Sequence, residues 1–192
     1  MAKLDLSTRR NMAGEPAADI TVNGVTADMA KPLTETARDD MRQLGAACRA
    51  VMMAGALESA LALSVQYAMD RTQFGRPLAK FQAIQQQLAQ LAGEVAACMR
   101  AAESLVGLTA LNVTDVAIAK ARVGEAVQLA TDVSHQVHGA IGYTREHQLN
   151  HRTRRLWMWR DEYGAEKYWQ GRLGALAIKG GADGVWPFIT AA

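Results

Sequence analysis

The sequence is short of cysteine, proline, aromatic residues and any excess charge of one sign. Two cysteines, Cys48 and Cys98, stand among 192 residues, too few for the disulfide framework of a small secreted domain. Both fall within apolar helical patterns and read as buried, reduced thiols. The first residues, MAKLDLSTRRNMAGEP, contain no apolar run of the secretory kind. A reducing, cytoplasmic setting is therefore expected. Aromatics make up 6% of the chain and prolines number four, which disfavours a sandwich of aromatic-rich strands. A formal net charge of +2 offers no electrostatic case for nucleic acid or a membrane surface as partner. Arg42, Arg49 and Glu58 interrupt the most apolar stretch, so no membrane span is expected. Nucleophile elbows, Walker loops and Rossmann glycine patterns are all absent.

What is abundant is alanine, leucine, glutamine and methionine, in a chain that is 49% hydrophobic. These are helix formers, and their periodicity marks several long helices. The first runs from about Glu35 to Met69, with Leu44, Cys48, Val51, Met52, Leu57, Leu61, Val65 and Ala68 as its expected buried face. Gly75 and Pro77 break it, and Leu78 opens a second helix with Ile84, Leu88, Leu91, Val95, Cys98 and Leu105 in phase. A third follows Asn112, carries Val116, Val123, Val127, Val133 and Val137 on one face, and ends at His138-Gly139. Residues 145–180 suggest two further helical pieces with a break near Gly164, and residues 180–192 an extended or loose end. Before the helices, ADITVNGVTADM alternates around Asn23-Gly24 and predicts a β-hairpin. The expected fold is all-α: an up-down four-helix bundle over residues 34–180, a short hairpin segment over 1–33, and a tail over 181–192.

Several features look chemical but read as structure. His147 and His151 have the i, i+4 spacing of helical metal ligands, yet no glutamate stands in the H-E-x-x-H place and no cysteine is near, so no metal is expected. Arg152, Arg154, Arg155 and Arg160 interleave with Trp157 and Trp159. This reads as an amphipathic segment making ion pairs rather than a stacking platform for nucleic acid. Ser134-His135 is merely adjacent in sequence and makes no triad.

Two loops carry more specific information. One is Arg71-Thr72-Gln73-Phe74-Gly75-Arg76-Pro77, continuing to Phe81-Gln82-Ala83-Ile84-Gln85. The other is Gln136-Val137-His138-Gly139-Ala140-Ile141-Gly142-Tyr143-Thr144-Arg145-Glu146. In order and spacing they resemble the R-x-Q-F-G-R-P…F-Q-A-I-Q and Q-x-H-G-x-x-G-Y-T-R-E segments of acyl-CoA dehydrogenases. The resemblance spans about Leu4 to Arg172 and corresponds to that family's C-terminal helical domain, with the N-terminal hairpin similar to the last hairpin of its middle β-domain.

The resemblance implies FAD as cofactor and an acyl-CoA thioester as substrate, undergoing α,β-dehydrogenation. It further implies a homodimer or homotetramer in which these loops contact the ADP half of a flavin held by a neighbour. Arg71, Gln73, Phe74, Gln136, Gly139 and Ala140 are then the cofactor-binding residues. A guanidinium suits pyrophosphate, a glutamine an adenosine edge, and a glycine the close approach of backbone. Ala140 stands where the family often has a second glycine. The resemblance gives the catalytic glutamate no exact place: Asp161 and Glu162 stand near it, and both also read as carboxylates that are solvated or paired with neighbouring arginines. A gap-free count from Gly142-Tyr143-Thr144 reaches Tyr163, leaving Glu162, one residue away, as the candidate base. Arg49 falls near the reaction centre by its place in the resembling helix. The family's N-terminal helical domain and most of its β-domain have no counterpart here. Three readings stay open: a dehydrogenase domain or subunit completed by a separate chain, a non-catalytic assembly module, or a piece of a longer product.

Overall fold

The computed structural model describes residues 3–26, 29, 31–34, 36–107 and 110–190. Strands β1 (Lys3–Arg10) and β2 (Pro16–Asn23) form an antiparallel ribbon, followed by α1 (Ala37–Asp70). Next come the two-residue strands β3 (Thr72–Gln73) and β4 (Arg76–Pro77), then α2 (Gln82–Glu103), α3 (Val113–His138), α4 (Gln148–Asp161) and α5 (Glu166–Thr190). The fold is an all-α bundle with a short N-terminal hairpin. Helices α1, α2 and α3 pack on one another, while α4 and α5 share the fourth position. These two run in succession, antiparallel along α1. Arg152 reaches Ser59, Glu162 reaches Arg49, Arg42 reaches Tyr168, and Arg172 reaches Asp39.

Helix α1 corrects the expected core. Its buried face is mostly alanine: Ala46, Ala47, Ala50, Ala54, Ala56, Ala60 and Ala68, with Met53 and Leu57. Leu44, Cys48, Val51, Met52 and Val65, expected inside, are not buried. The reason is crowding. A central helix meeting α2, α3 and α4 must let three neighbours approach closely, and alanine permits the shortest separation. By length and composition α1 would pass for a membrane-spanning helix; here its apolar character serves the centre of a bundle. Periodicity served better on α2 and α3, where Leu91, Val95, Cys98, Val116, Val123, Val127 and Val137 are buried. Burial pushes the Cys98 thiol up to about 12, as for an inert structural cysteine.

The hairpin turns elsewhere than expected. β1 pairs with β2 from Lys3↔Asn23 to Arg10↔Pro16, so Asn23-Gly24 ends the ribbon, and the turn is Asn11–Glu15. Asn11 accepts the Glu15 N–H through its side chain at 2.9 Å, and Gly14 takes a φ of 80°. An Asx-type turn thus replaces the Asn-Gly turn. Glu15 ties this turn to α4 by accepting the Trp159 indole N–H at 3.2 Å and pairing with Arg155 at 3.4 Å. The chain end is corrected too. Residues expected to be loose are helical to Thr190, broken by a kink at Gly181 (φ 70°, ψ 176°). Glu35, the expected start of the first helix, lies outside the described residues.

Candidate functional site

The two loops singled out in the sequence meet at the C-terminal end of α1. Arg71 leaves the helix donating its N–H to Tyr67, and its carbonyl accepts the Leu78 N–H at 2.9 Å. The intervening residues close as a miniature hairpin, Thr72↔Pro77 and Gln73↔Arg76. Its tip, Phe74 and Gly75, adopts φ values of 53° and 78°, the double left-handed pattern of a tight two-residue turn. Across from it α3 ends at Gly139. There φ is 63° and ψ −145°, a conformation reserved almost wholly for glycine.

Between the loops lies a cavity of about 550 Å³ lined by Arg71, Gln73, Gln136, Gly139 and Ala140, together with Tyr67 and His138. The structure therefore brings together five of the six residues expected to bind the cofactor. Phe74 is not among the lining residues; it stands 91% exposed at the hairpin tip, edge-on to Phe81. Sequence reasoning missed Tyr67, whose ring stacks on His138 at 4.6 Å. His138 donates through Nδ1 to the Ser134 carbonyl at 2.8 Å, leaving Nε2 an acceptor without a partner among the described residues. Burial lowers the pKa values of His138 and His135 below the ordinary range. One guanidinium, two amides and a glycine backbone with no atom within 4 Å of where its Cβ would stand form a donor set suited to phosphate and purine groups.

Glu162 and Arg49 lie elsewhere, toward the N-terminal half of α1. Arg49 and Arg71 are separated by about 30 Å of helix at roughly 1.5 Å per residue. Arg49 donates to the Glu162 carboxylate at 2.5 Å, each side chain about 23% exposed, and its guanidinium lies over the Trp159 ring. The turn carrying Glu162 joins α4 to α5 through Tyr163 (φ 57°) and Gly164 (φ 102°). Lys120, wholly buried on α3, holds it by donating to the carbonyls of Arg160 at 2.6 Å and Gly164 at 2.9 Å. Burial pushes this lysine down to about 8. The sequence showed Lys120 only as one polar residue in a valine-lined face. A cleft of about 620 Å³ opens beside the turn, lined by Arg38, Met41, Arg42, Leu44, Arg49 and Tyr163, with Leu33, Gly45 and Cys48.

The histidines have structural roles. His147 accepts the Leu149 N–H at the start of α4, and His151 bonds the Arg145 carbonyl. No metal-ligating cluster occurs among the described residues.

The profile of the acyl-CoA dehydrogenase C-terminal domain matches residues 41–165, a stretch that includes both loops, the lining of the smaller cavity, and the lining of the larger cleft except Leu33 and Arg38. This chain belongs to the acyl-CoA dehydrogenase family. It is 33% identical over 118 residues to acyl-CoA dehydrogenase IpdE2 of Mycolicibacterium smegmatis, covering 60% of this chain and 37% of that one. It is likewise 33% identical over 117 residues to the short-chain-specific acyl-CoA dehydrogenase of Megasphaera elsdenii, covering 57% and 29%. Among solved structures, a glutaryl-coenzyme A dehydrogenase complex with glutaryl-CoA superposes with a TM-score of 0.82 at 24% identity, covering 94% of this chain and 48% of that one. The ChsE4–ChsE5 complex from Mycobacterium tuberculosis gives 0.77 at 23%, covering 90% and 48%. Members of this family use FAD. The chain thus corresponds to half or less of the proteins it matches, and to their helical C-terminal part.

Proposed function

We propose that this chain is the FAD-contacting helical part of an acyl-CoA dehydrogenase, completed by a second polypeptide segment or subunit that carries the remaining domains. The observation that supports it best is the convergence of Arg71, Gln73, Gln136, Gly139 and Ala140 on one cavity. In this reading Arg71 neutralises a diphosphate, Gln73 and Gln136 bond the nucleotide's polar edges, and Gly139 admits its approach to the backbone. Phe74, at the exposed hairpin tip, packs over the ligand from outside the cavity. When bound, FAD supplies the hydride acceptor for α,β-dehydrogenation of an acyl-CoA thioester.

The chain's own residues bind and orient; they span both ends of α1, too far apart for one reaction centre. Assembly as a dimer or tetramer, or with a partner subunit, accounts for that separation. Exposed apolar residues on α1, among them Met41, Leu44, Val65 and Met69, and on the ribbon, Leu6, Ile20 and Val22, suit an assembled state. The ribbon is then a remnant of a β-domain whose other strands lie outside residues 1–33.

Titration of the purified chain with FAD, followed by flavin fluorescence and by mass in solution, tests the reading. Saturable binding, weakened at least tenfold by Arg71→Ala and Gln136→Ala, is expected. A folded chain that binds no FAD, or binds it equally well after both substitutions, removes the cofactor from this cavity.

A further inference from the structure

We infer that the cleft beside α1 holds an acyl thioester without removing its α-proton, with the Tyr163 side chain occupying the wall where a carboxylate base would stand. This rests on the acyl-CoA reading above and deepens it by separating binding from chemistry.

The lining decides the point. None of the described residues lining the cleft carries a carboxylate; its ionisable groups are the guanidiniums of Arg38, Arg42 and Arg49, the thiol of Cys48 and the phenol of Tyr163. Tyr163 is also the residue that a gap-free count places at the base position. Its ring lies so close to α1 that a Cβ on Gly45 would overlap it, so glycine at 45 is what admits the aromatic wall. The left-handed backbone of Tyr163 (φ 57°) is costly for a bulky residue and needs support on both sides. Lys120 supplies it by holding the Arg160 and Gly164 carbonyls, Trp169 by donating to Gly164 at 3.2 Å, and Arg160 by its paired bonds to Glu166. The turn is built to present Tyr163.

Glu162, next to it, is not among the lining residues. Its carboxylate accepts a charge-assisted bond from Arg49 at 2.5 Å, and Arg49 is pinned over Trp159. A general base must direct a free lone pair at the proton it takes; Glu162 has Oε2 engaged by a guanidinium and does not line the cleft. The α1 carboxylates Asp39 and Asp40 do not line the cleft either, and Asp39 is bonded to Arg172.

The remaining chemistry suits an amphipathic anion. Met41, Leu44 and the Tyr163 ring give an apolar wall. Arg42 is engaged with the Tyr168 hydroxyl, while Arg38 has no hydrogen-bond or ion-pair partner among the described residues and can take a phosphate. A CoA thioester combines such an anionic head with an apolar acyl chain. Dehydrogenation by an assembly containing this chain then draws its base from another polypeptide segment.

Acetoacetyl-CoA is the probe, because its acidic α-protons allow a competent base to form the enolate without flavin. Binding is read by calorimetry and the enolate by its ultraviolet band, for the wild-type chain, Glu162→Gln and Gly45→Ala. One-to-one binding is expected in the first two, with no more enolate than free acetoacetyl-CoA shows in the same buffer. Gly45→Ala should weaken that binding at least tenfold and leave the FAD titration unchanged. Enolate that grows on binding and is lost in Glu162→Gln would make Glu162 the base, overturning the inference while leaving the acyl-CoA reading intact. No binding to a folded wild-type chain would remove both. Unchanged binding in Gly45→Ala would show that Tyr163 is not a wall of the site.

Discussion

Lys120 offers the sharpest test of how the turn at residues 162–165 is held. The ammonium is wholly buried and bonds two carbonyls at the junction of α4 and α5, Arg160's and Gly164's, the second shared with the Trp169 indole N–H. A lysine ordinarily titrates at 10.5 and this one at about 8, chiefly because burial penalises its charge, with Glu166, Asp161 and Glu162 partly offsetting the penalty. At about 1.4 kcal/mol per tenfold change in proton affinity, the charged form is disfavoured by about 3 kcal/mol in the folded state. The sign follows from linkage. Between pH 8 and 10.5 the unfolded chain binds more protons than the folded one, so stability rises with pH across that window. Below pH 8 the penalty is present in full.

Lys120→Met removes the penalty but leaves the Arg160 carbonyl without its lysine partner, at about 1–3 kcal/mol, while the Gly164 carbonyl keeps the Trp169 indole N–H. Near pH 7 the two effects are of similar size and the variant should lie within a few kcal/mol of wild type. By pH 10.5 the wild type should have gained about 3 kcal/mol relative to Lys120→Met. Urea unfolding at each pH, followed by tryptophan fluorescence and circular dichroism, measures this difference; taking the difference subtracts titrations common to both proteins, such as that of Cys98. Parallel stability curves from pH 7 to 10.5 would refute the account of Lys120 as a charge held against burial.

Other outcomes follow from single contacts. His138 is buried and His135 half-buried, and both titrate below the ordinary imidazole range because of that desolvation, so the unfolded chain takes up protons first. The thermal midpoint should hold above about pH 6.5 and fall as pH drops below it, and a flat acid limb would contradict their burial as neutral rings. Gly139→Ala should cost about 1–3 kcal/mol, because φ 63° with ψ −145° excludes a side chain on backbone grounds. It should also weaken FAD more than tenfold; an unaffected titration would mean that the loop's shape is irrelevant to binding. Glu15→Ala removes the links to Trp159 and Arg155, and limited proteolysis within residues 5–22 should accelerate while helical circular dichroism stays constant. Equal cleavage rates would show that the ribbon is anchored by other contacts.

Much of this protein was legible without coordinates, and the reason lies in the range of the forces concerned. Helix periodicity and breakers are local, so α3 begins and ends where Asn112 and Gly139 place it, and the two loops could be recognised from their own residues. Composition also announced a helical bundle before any packing was known. Other features depended on partners distant in sequence. Alanine rather than leucine forms the buried face of α1 because three helices converge on it. The ribbon turns at Asn11–Glu15, where side-chain bonding and a contact to α4 outweigh the Asn23-Gly24 signal.

The site divides in the same way. Residues 71–73 and 136–140 carry their chemistry in plain text, but only the bundle sets them around one cavity and leaves Phe74 at its edge. Glu162 and Tyr163 are neighbours that the sequence could not rank. Their roles part because Arg49, on α1, captures the carboxylate, while Gly45, one helical turn earlier, clears a place for the ring. Sequence determines which groups are available and the local backbone that carries them. Tertiary packing decides which charges are neutralised and which side chains face a ligand, because those interactions act between atoms brought together across more than a hundred residues of chain.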